Sequence, residues 1–276
     1  MNYRHAFHAG NFADCMKHAL LVALLQALQR KPGGLCVLDT HSGIGGYDLT
    51  SGPAERTGEW RSGIGALLDA PPDAALTPYL QIVRNFGAPA RYPGSPEIVA
   101  SLLRPQDRLI ACELHPEDAA TLRRTMGRRS GVAIHERDGF GAIRALLPPG
   151  DLRRGLVLID PPFERPDDFT RAAQALATAA KRFPGGVLAV WYPIKHRAPV
   201  RAFLAEVEAA GLRDVITAEL LLREPVDPTR LNGAGLLVVR PPYGFAETAT
   251  AILDALSRLL APDADACSGV SRIVDE

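Results

Sequence analysis

Gly155-Leu156-Val157-Leu158-Ile159-Asp160-Pro161-Pro162-Phe163 is the stretch whose reading decides the fold. Its first five residues are an unbroken apolar run, the pattern of a strand buried on both faces of a parallel sheet. Ligands of open α/β sheets bind beyond the carboxyl ends of the strands, so Asp160 emerges where chemistry is done. Proline has no N–H and a fixed φ, which holds the Asp160 and Pro161 carbonyls as rigid acceptors. This arrangement suits a flat base with an exocyclic amine. The lone pair of such an amine is delocalised into the ring, and it attacks well only when acceptors hold its N–H groups and draw the nitrogen toward sp3 geometry. The Asp160 carboxylate and the Pro161 carbonyl supply two acceptors, and the Phe163 ring stacks on the base for roughly 1–3 kcal/mol. Taken alone, Asp160-Pro161-Pro162 is equally an ordinary turn, with Phe163 returning to the core; the upstream chain shifts the balance.

Residues 35–40 read as a strand ending at Asp39 and Thr40, and it opens into His41-Ser42-Gly43-Ile44-Gly45-Gly46. A glycine turn after a strand lets backbone approach a nucleoside closely. Its G-x-G-G spacing lacks the third glycine of a dinucleotide fingerprint, which counts against a nicotinamide-dependent oxidoreductase. Residues 47–92 interrupt the expected strand-to-helix step with helix-compatible segments at 55–68 and 78–86. They read as a small inserted helical subdomain within a single domain spanning 1–276, serving as a lid or substrate-recognition element or as a solvated decoration. Ser95, ahead of Pro96 and an apolar run, is placed as an N-cap, and the helix end it starts also suits a carboxylate. The strand at 109–113 ends in Glu113, which suits the two ribose hydroxyls of a nucleoside cofactor. After a helix at 116–128 and a strand at 132–136, Asp138 is positioned to accept from an adenine amine, and Gly139 lets the chain pass close to the ring. Helices at 167–183 and 199–210 and strands at 186–192, 215–222 and 235–240 continue the alternation. Arg240-Pro241-Pro242-Tyr243 imitates the motif, but arginine only donates and cannot polarise an amine in the required sense. The stretch after Pro262 is small and polar.

The charges balance, 31 basic against 31 acidic, so nucleic acid would have to be met by a local patch. Candidates are Arg4 and His5, Arg56 and Arg61, and Lys195-His196-Arg197, each of which is also an ordinary solvated charge. Cys15, Cys36, Cys112 and Cys267 have neither metal-ligand nor redox spacing, which suits a reducing cytoplasm, and the two that lie in apparent strands read as small core residues. The apolar run 19–28 is too short to span a bilayer and reads as a buried helix of a soluble protein. Lys17 and His18 on that helix read, by themselves, as ordinary surface residues.

The chain resembles a known family at many points together. Asp39 with its glycine loop, Glu113, Asp138-Gly139 and Asp160-Pro161-Pro162-Phe163 resemble class I methyltransferases that act on adenine N6. The opening Tyr3-Arg4-His5-Ala6-Phe7-His8-Ala9-Gly10-Asn11, Ala54-Glu55-Arg56-Thr57-Gly58-Glu59, Tyr92-Pro93-Gly94-Ser95-Pro96, Glu113-Leu114-His115-Pro116 and Trp191-Tyr192-Pro193 look like the RlmJ-type 23S ribosomal RNA adenine N6-methyltransferases. The resemblance implies a Rossmann-like α/β fold with a seven-stranded, mostly parallel sheet and an inserted helical subdomain. It implies S-adenosylmethionine as cofactor, with contacts at Lys17, His18, His41, Ser95, Glu113, Asp138 and Gly139, joined by Asp39 and Gly43 of the glycine turn. Catalysis falls on Asp160, with Pro161 and Phe163 beside it. The implied reaction is direct in-line methyl transfer to one adenine of 23S ribosomal RNA, expected at adenine-2030, by a monomer needing neither metal nor membrane. Relatives can carry tyrosine where Phe163 stands; stacking survives the change, and a hydroxyl contact does not. A DNA adenine N6-methyltransferase and a non-catalytic RNA-binding protein of the same fold are the competing readings.

Overall fold

All five residues of Gly155–Ile159 are buried, as a strand with no polar face requires. The computed structural model describes residues 4–50, 52–261 and 267–275. Tyr3 of the opening motif and residues 262–266 of the expected polar tail lie outside the described residues. In chain order the first elements are α1 (Phe12–Gln29), β1 (Cys36–Asp39), β2 (Gly46–Asp48), α2 (Gly52–Thr57), α3 (Ile64–Asp69), α4 (Thr77–Phe86), β3 (Arg91–Pro93) and α5 (Ser95–Leu102). They are followed by β4 (Arg108–Glu113), α6 (Pro116–Met126), β5 (Val132–Glu136), α7 (Gly139–Leu146), β6 (Gly155–Ile159), α8 (Asp168–Arg182) and β7 (Gly186–Ile194). The chain closes with α9 (Arg197–Ala209), β8 (Val215–Leu221), β9 (Gly233–Val239), α10 (Phe245–Leu260) and β10 (Cys267–Val274).

The strands form an α/β sheet in the order β10-β8-β9-β7-β6-β1-β4-β5. From β5 through β7 every pairing is parallel; β9 and β10 run against their neighbours. From β1 the chain builds outward to β4 and β5, then crosses back to lay down β6 on the other side of β1. This reversal is the topological switch point of a doubly wound sheet, and it opens a crevice at the carboxyl ends of β1 and β6. Asp39 ends β1, and Asp160 follows the last residue of β6.

Two hydrophobic clusters cover the sheet. One is built on α1, α5, α6 and α10, the other on α7, α8 and α9. Helix α1 is buried on nearly every side from Phe12 to Leu25, which places even Lys17 and His18 in the interior. The expectation of ordinary surface residues fails at both positions. No helix among the described residues is long and apolar enough to cross a membrane.

Among the described residues the sheet has eight strands rather than the expected seven. The extra strand, β10, comes from the C-terminal stretch read as small and polar. Val270, Ile273 and Val274 provide enough apolar surface for it to pack on both clusters while pairing with β8. Residues 55–68 do not form one helix. Gly58, at φ +66°, ends α2, a 3₁₀ turn spans Glu59–Ser62, and α3 begins after Gly63. Residues 47–92 thus carry three short helices, flanked by the two-stranded ribbon in which β2 pairs with β3.

Candidate active site

The site begins with a buried charge chain. Lys17 Nζ lies 2.7 Å from Asp160 Oδ2 and 2.9 Å from Asp14 Oδ1. Asp14 Oδ2 in turn accepts from the Gly10 N–H at 3.0 Å and sits 2.9 Å from His5 Nε2. The i,i+3 spacing on α1 places Asp14 and Lys17 on one face, and the fold brings that face under Asp160. Side-chain exposure is 6% for Lys17 and 13% for Asp160, so this is an interior pairing. Burial opposes the charge on Lys17, but the carboxylates of Asp14 and Asp160 outweigh it and hold the ammonium above its usual range. Burial likewise works against the Asp14 charge, and His5 and Lys17 overcome it, keeping that carboxyl well below the usual carboxylate range.

The motif beside it is strained. Phe163 has φ +50°, in the left-handed region that non-glycine residues seldom adopt. Its ring is 4.7 Å from Phe169 and 5.9 Å from Trp191, centre to centre, and stays partly exposed. Trp191, near the end of β7, also carries the Lys17 ammonium 5.9 Å from its ring centre. Pro161 is buried against this corner. The structure therefore brings Asp160, Pro161 and Phe163 together with Lys17 and Trp191 at one end of the sheet.

The residues expected to hold a cofactor line the adjoining strand ends. Glu113, at the end of β4, accepts from Gly43 N–H through Oε2 and from His115 N–H through Oε1, both at 2.8 Å. Burial raises its pKa above the ordinary glutamate value. Each oxygen keeps a further lone pair, which is what a ribose diol needs from a carboxylate. Gly43 is required where it stands: its φ is +59°, and a Cβ there would overlap the Tyr47 hydroxyl. Gly139 has a different reason from the one expected. A Cβ on it would overlap the Thr40 carbonyl, so the glycine lets α7 start against the end of β1, whatever ligand lies nearby. Asp138 caps α7, accepting from Gly141 N–H at 2.7 Å, and lies 3.7 Å from Arg171. His41 packs edge-on against Phe140 and bonds Thr40 Oγ1 through Nδ1 at 2.7 Å; desolvation pushes its pKa down to about 4.

Ser95 corrects the capping expectation. The N-cap of α5 is Gly94, and Ser95 is the first helical residue, its hydroxyl donating to Asp39 Oδ2 at 2.7 Å. Asp39 is fully buried and also accepts from His41 N–H at 3.3 Å. It organises the β1 end by holding these two neighbours. Burial pushes its carboxyl up to about 6. The unfolded chain ionises near pH 4, so between about pH 4 and pH 6 the folded state binds the extra proton, and stability from this group falls as pH rises through that window. Asp39→Asn is therefore expected to stabilise the protein by about 2 kcal/mol at pH 7 and to make little difference at pH 4, measured by urea denaturation at both pH values.

His18 is fully buried, with Nδ1 2.7 Å from the Tyr92 hydroxyl. Sequence reasoning missed Asp14, Tyr79, Tyr92 and Glu59. Glu59 holds His8 and Asn11 at 3.0 Å and ties the N-terminal segment to residues 47–92. The i,i+3 pair Asp14 and Lys17 was the available signal for the first; nothing local marks the two buried tyrosines. Of the basic candidates, Arg4 pairs with Glu117 and Asp118, His5 with Asp14, and Arg197 with Glu219. His196 caps α9. Arg56 and Arg61 lie over Phe7 and Trp60, and Lys195 is exposed. Arg240 anchors its strand end by donating to the Gly186 and Phe183 carbonyls, consistent with a motif look-alike.

A doubly wound sheet with an acidic residue at the ends of β1 and β4, and Asp-Pro-Pro-Phe after β6, is the fold of a class I methyltransferase. The comparisons identify the family. The family described as "Ribosomal RNA large subunit methyltransferase D, RlmJ" matches residues 32–273. The chain is 40% identical over 270 residues to ribosomal RNA large subunit methyltransferase J of Haemophilus influenzae, covering 95% of each chain. It is 38% identical to the Escherichia coli protein of the same name, covering 100% of both. The crystal structure of protein LPL1258 from Legionella pneumophila superposes with a TM-score of 0.87 at 32% identity, over 96% of this chain and 98% of that one. The chain belongs to the RlmJ family of ribosomal RNA methyltransferases.

Proposed function

We propose that this enzyme transfers a methyl group from S-adenosylmethionine to the N6 amine of one adenine in 23S ribosomal RNA, adenine-2030 in the expected numbering. The observation that carries the reading is the Asp160 carboxylate at the switch point, with one oxygen held by Lys17 and no partner on the other among the described residues. An amine N–H supplies that missing partner. The Pro161 carbonyl is the second acceptor, and Phe163 and Trp191 offer aromatic surface for the base.

The residues present fit the cofactor. Glu113 would hold the ribose hydroxyls, Asp138 the adenine amine, and His18 the amino-acid end, where its Nε2 is buried without a partner among the described residues; His41, Gly43 and Gly139 shape the wall. When bound, S-adenosylmethionine supplies an already activated methyl group, so the protein's task is orientation. Asp160 keeps the amine hydrogens in its plane and draws the lone pair out of conjugation. A neutral aryl amine is far too weak an acid to lose a proton to a carboxylate beforehand, so Asp160 receives the proton only as, or after, the N–C bond forms. Lys17 holds the carboxylate in place until then. We also read the chain as a single domain in which residues 47–92 form a subdomain on the substrate side.

Methyl transfer from labelled cofactor into unmodified 23S RNA and into duplex DNA tests the substrate class. Incorporation into RNA alone is expected; incorporation into DNA alone would make this a DNA enzyme. Lys195 is exposed and has no ion-pair partner among the described residues, and Lys195→Gln is expected to flatten the salt dependence of RNA binding by about 0.7 in the log–log slope. An unchanged slope in a filter-binding series would remove Lys195 from the RNA interface.

A further inference from the structure

His18 is the end of a buried hydrogen-bonded chain that starts outside α1. Tyr92, on β3, places its hydroxyl 2.7 Å from His18 Nδ1 and 2.9 Å from the hydroxyl of Tyr79, on α4. The three side chains are at most 1% exposed. The opposite ring nitrogen, Nε2, is also buried and has no hydrogen-bond partner among the described residues.

Two proton arrangements connect these groups. In one, Tyr79 donates to Tyr92 and Tyr92 donates to His18 Nδ1. In the other the direction reverses: His18 Nδ1–H donates to Tyr92, Tyr92 to Tyr79, and Tyr79 ends on the Cys15 thiol beside it. Sulfur is a weak acceptor, and the Cys15 thiol is already directed at the Gly10 carbonyl, 3.7 Å away. A phenol is a stronger donor than a neutral imidazole N–H, and an unprotonated imidazole nitrogen is a stronger acceptor than a phenol oxygen. The first arrangement therefore prevails. A neutral imidazole has one N–H, so with Nδ1 accepting, the proton sits on Nε2.

We propose that Tyr92 is a positioning residue that fixes His18 as the Nε2–H tautomer, making this buried N–H a preset donor to the carboxylate of the bound methyl donor. The carboxylate is that molecule's only anionic group and its best acceptor. The two tyrosines come from residues 47–92, and that segment thereby acts on cofactor binding without touching the cofactor. The inference rests on the cofactor reading above.

The test has two parts. In the free wild-type protein labelled with ¹⁵N-histidine, long-range ¹H–¹⁵N spectra should show His18 Nε2 protonated and Nδ1 bare, with the signals assigned by their loss in His18→Gln. Calorimetry should then find S-adenosylhomocysteine bound about tenfold more weakly by Tyr92→Phe than by wild type. 5′-Methylthioadenosine, which lacks the carboxylate, should bind both proteins equally. Protonation at Nδ1 in the wild type would overturn the proposal, and this holds even if Tyr92→Phe does not fold. Equal binding of S-adenosylhomocysteine by a folded Tyr92→Phe would overturn it too, as would an equal loss for both ligands. Failure of the wild type to bind S-adenosylhomocysteine at all would instead remove the cofactor reading beneath it.

Discussion

Asp160→Ala is expected to lower the methyl-transfer rate by about 10³-fold while S-adenosylhomocysteine affinity changes by less than about threefold. The expectation follows from what the carboxylate touches. Its hydrogen-bond partner among the described residues is Lys17, on one oxygen, which leaves the other for an acceptor amine. Removing it takes away an interaction that strengthens as the amine becomes tetrahedral and positive, so the loss belongs in kcat more than in KM. Asp160→Asn should fall between the two, because an amide oxygen still accepts an N–H but carries no charge to stabilise the cationic product. Single-turnover rates with saturating RNA separate these outcomes from a defect in RNA binding. A large loss of S-adenosylhomocysteine affinity would instead make Asp160 a cofactor ligand.

Lys17→Met is expected to have the second largest effect, and it should act on stability as well as rate. The substitution preserves most of the side-chain volume but leaves Asp14 and Asp160 as buried carboxylates without their shared cation. Breaking a buried pairing of this kind costs roughly 3–5 kcal/mol, because desolvated charge is left uncompensated. The pH dependence gives a distinctive sign. With Lys17 gone, burial of Asp14 is opposed by fewer charges, so the pKa of that carboxyl should rise, and the penalty should be full near pH 7 and shrink as pH falls. Urea titrations at pH 7 and pH 5 check this directly, and a penalty that does not change with pH would show that lost packing, rather than charge, is responsible. Activity should fall about 10²-fold, since Asp160 loses the ammonium that holds its carboxylate in place.

The parts of this account that were legible in the sequence are those where one local pattern has one structural outcome. The apolar run that ends at Asp160 reads as a buried central strand, and Gly155–Ile159 is one. The same logic placed Asp39 and Glu113 at strand ends, where the structure has them. What was hidden depended on contacts between distant segments. Asp14, Lys17 and Asp160 are 3 and 143 positions apart, and only the fold brings α1 beside the residue that follows β6. The hydroxyls of Tyr79 and Tyr92 bond each other, and Tyr92 bonds His18, 74 residues away, a link that sequence spacing does not carry. Ser95 was misread because an N-cap and an N1 serine look identical until it is known that Gly94 precedes the turn and Asp39 takes the hydroxyl. Strand β10 was overlooked because three aliphatic residues among polar neighbours are a weak signal until a strand edge is available to pair with.

The central claim is that the exocyclic amine of adenine is the methyl acceptor and that Asp160 makes it reactive. Its most direct test is mass-spectrometric analysis of nucleosides from 23S RNA methylated by the wild-type enzyme and by Asp160→Ala at equal cofactor occupancy. The account predicts N6-methyladenosine at a single site with the wild type and almost none with the variant. A methyl group found instead on a ring carbon, a ring nitrogen or a ribose hydroxyl, or N6-methyladenosine formed equally well by both proteins, would contradict it.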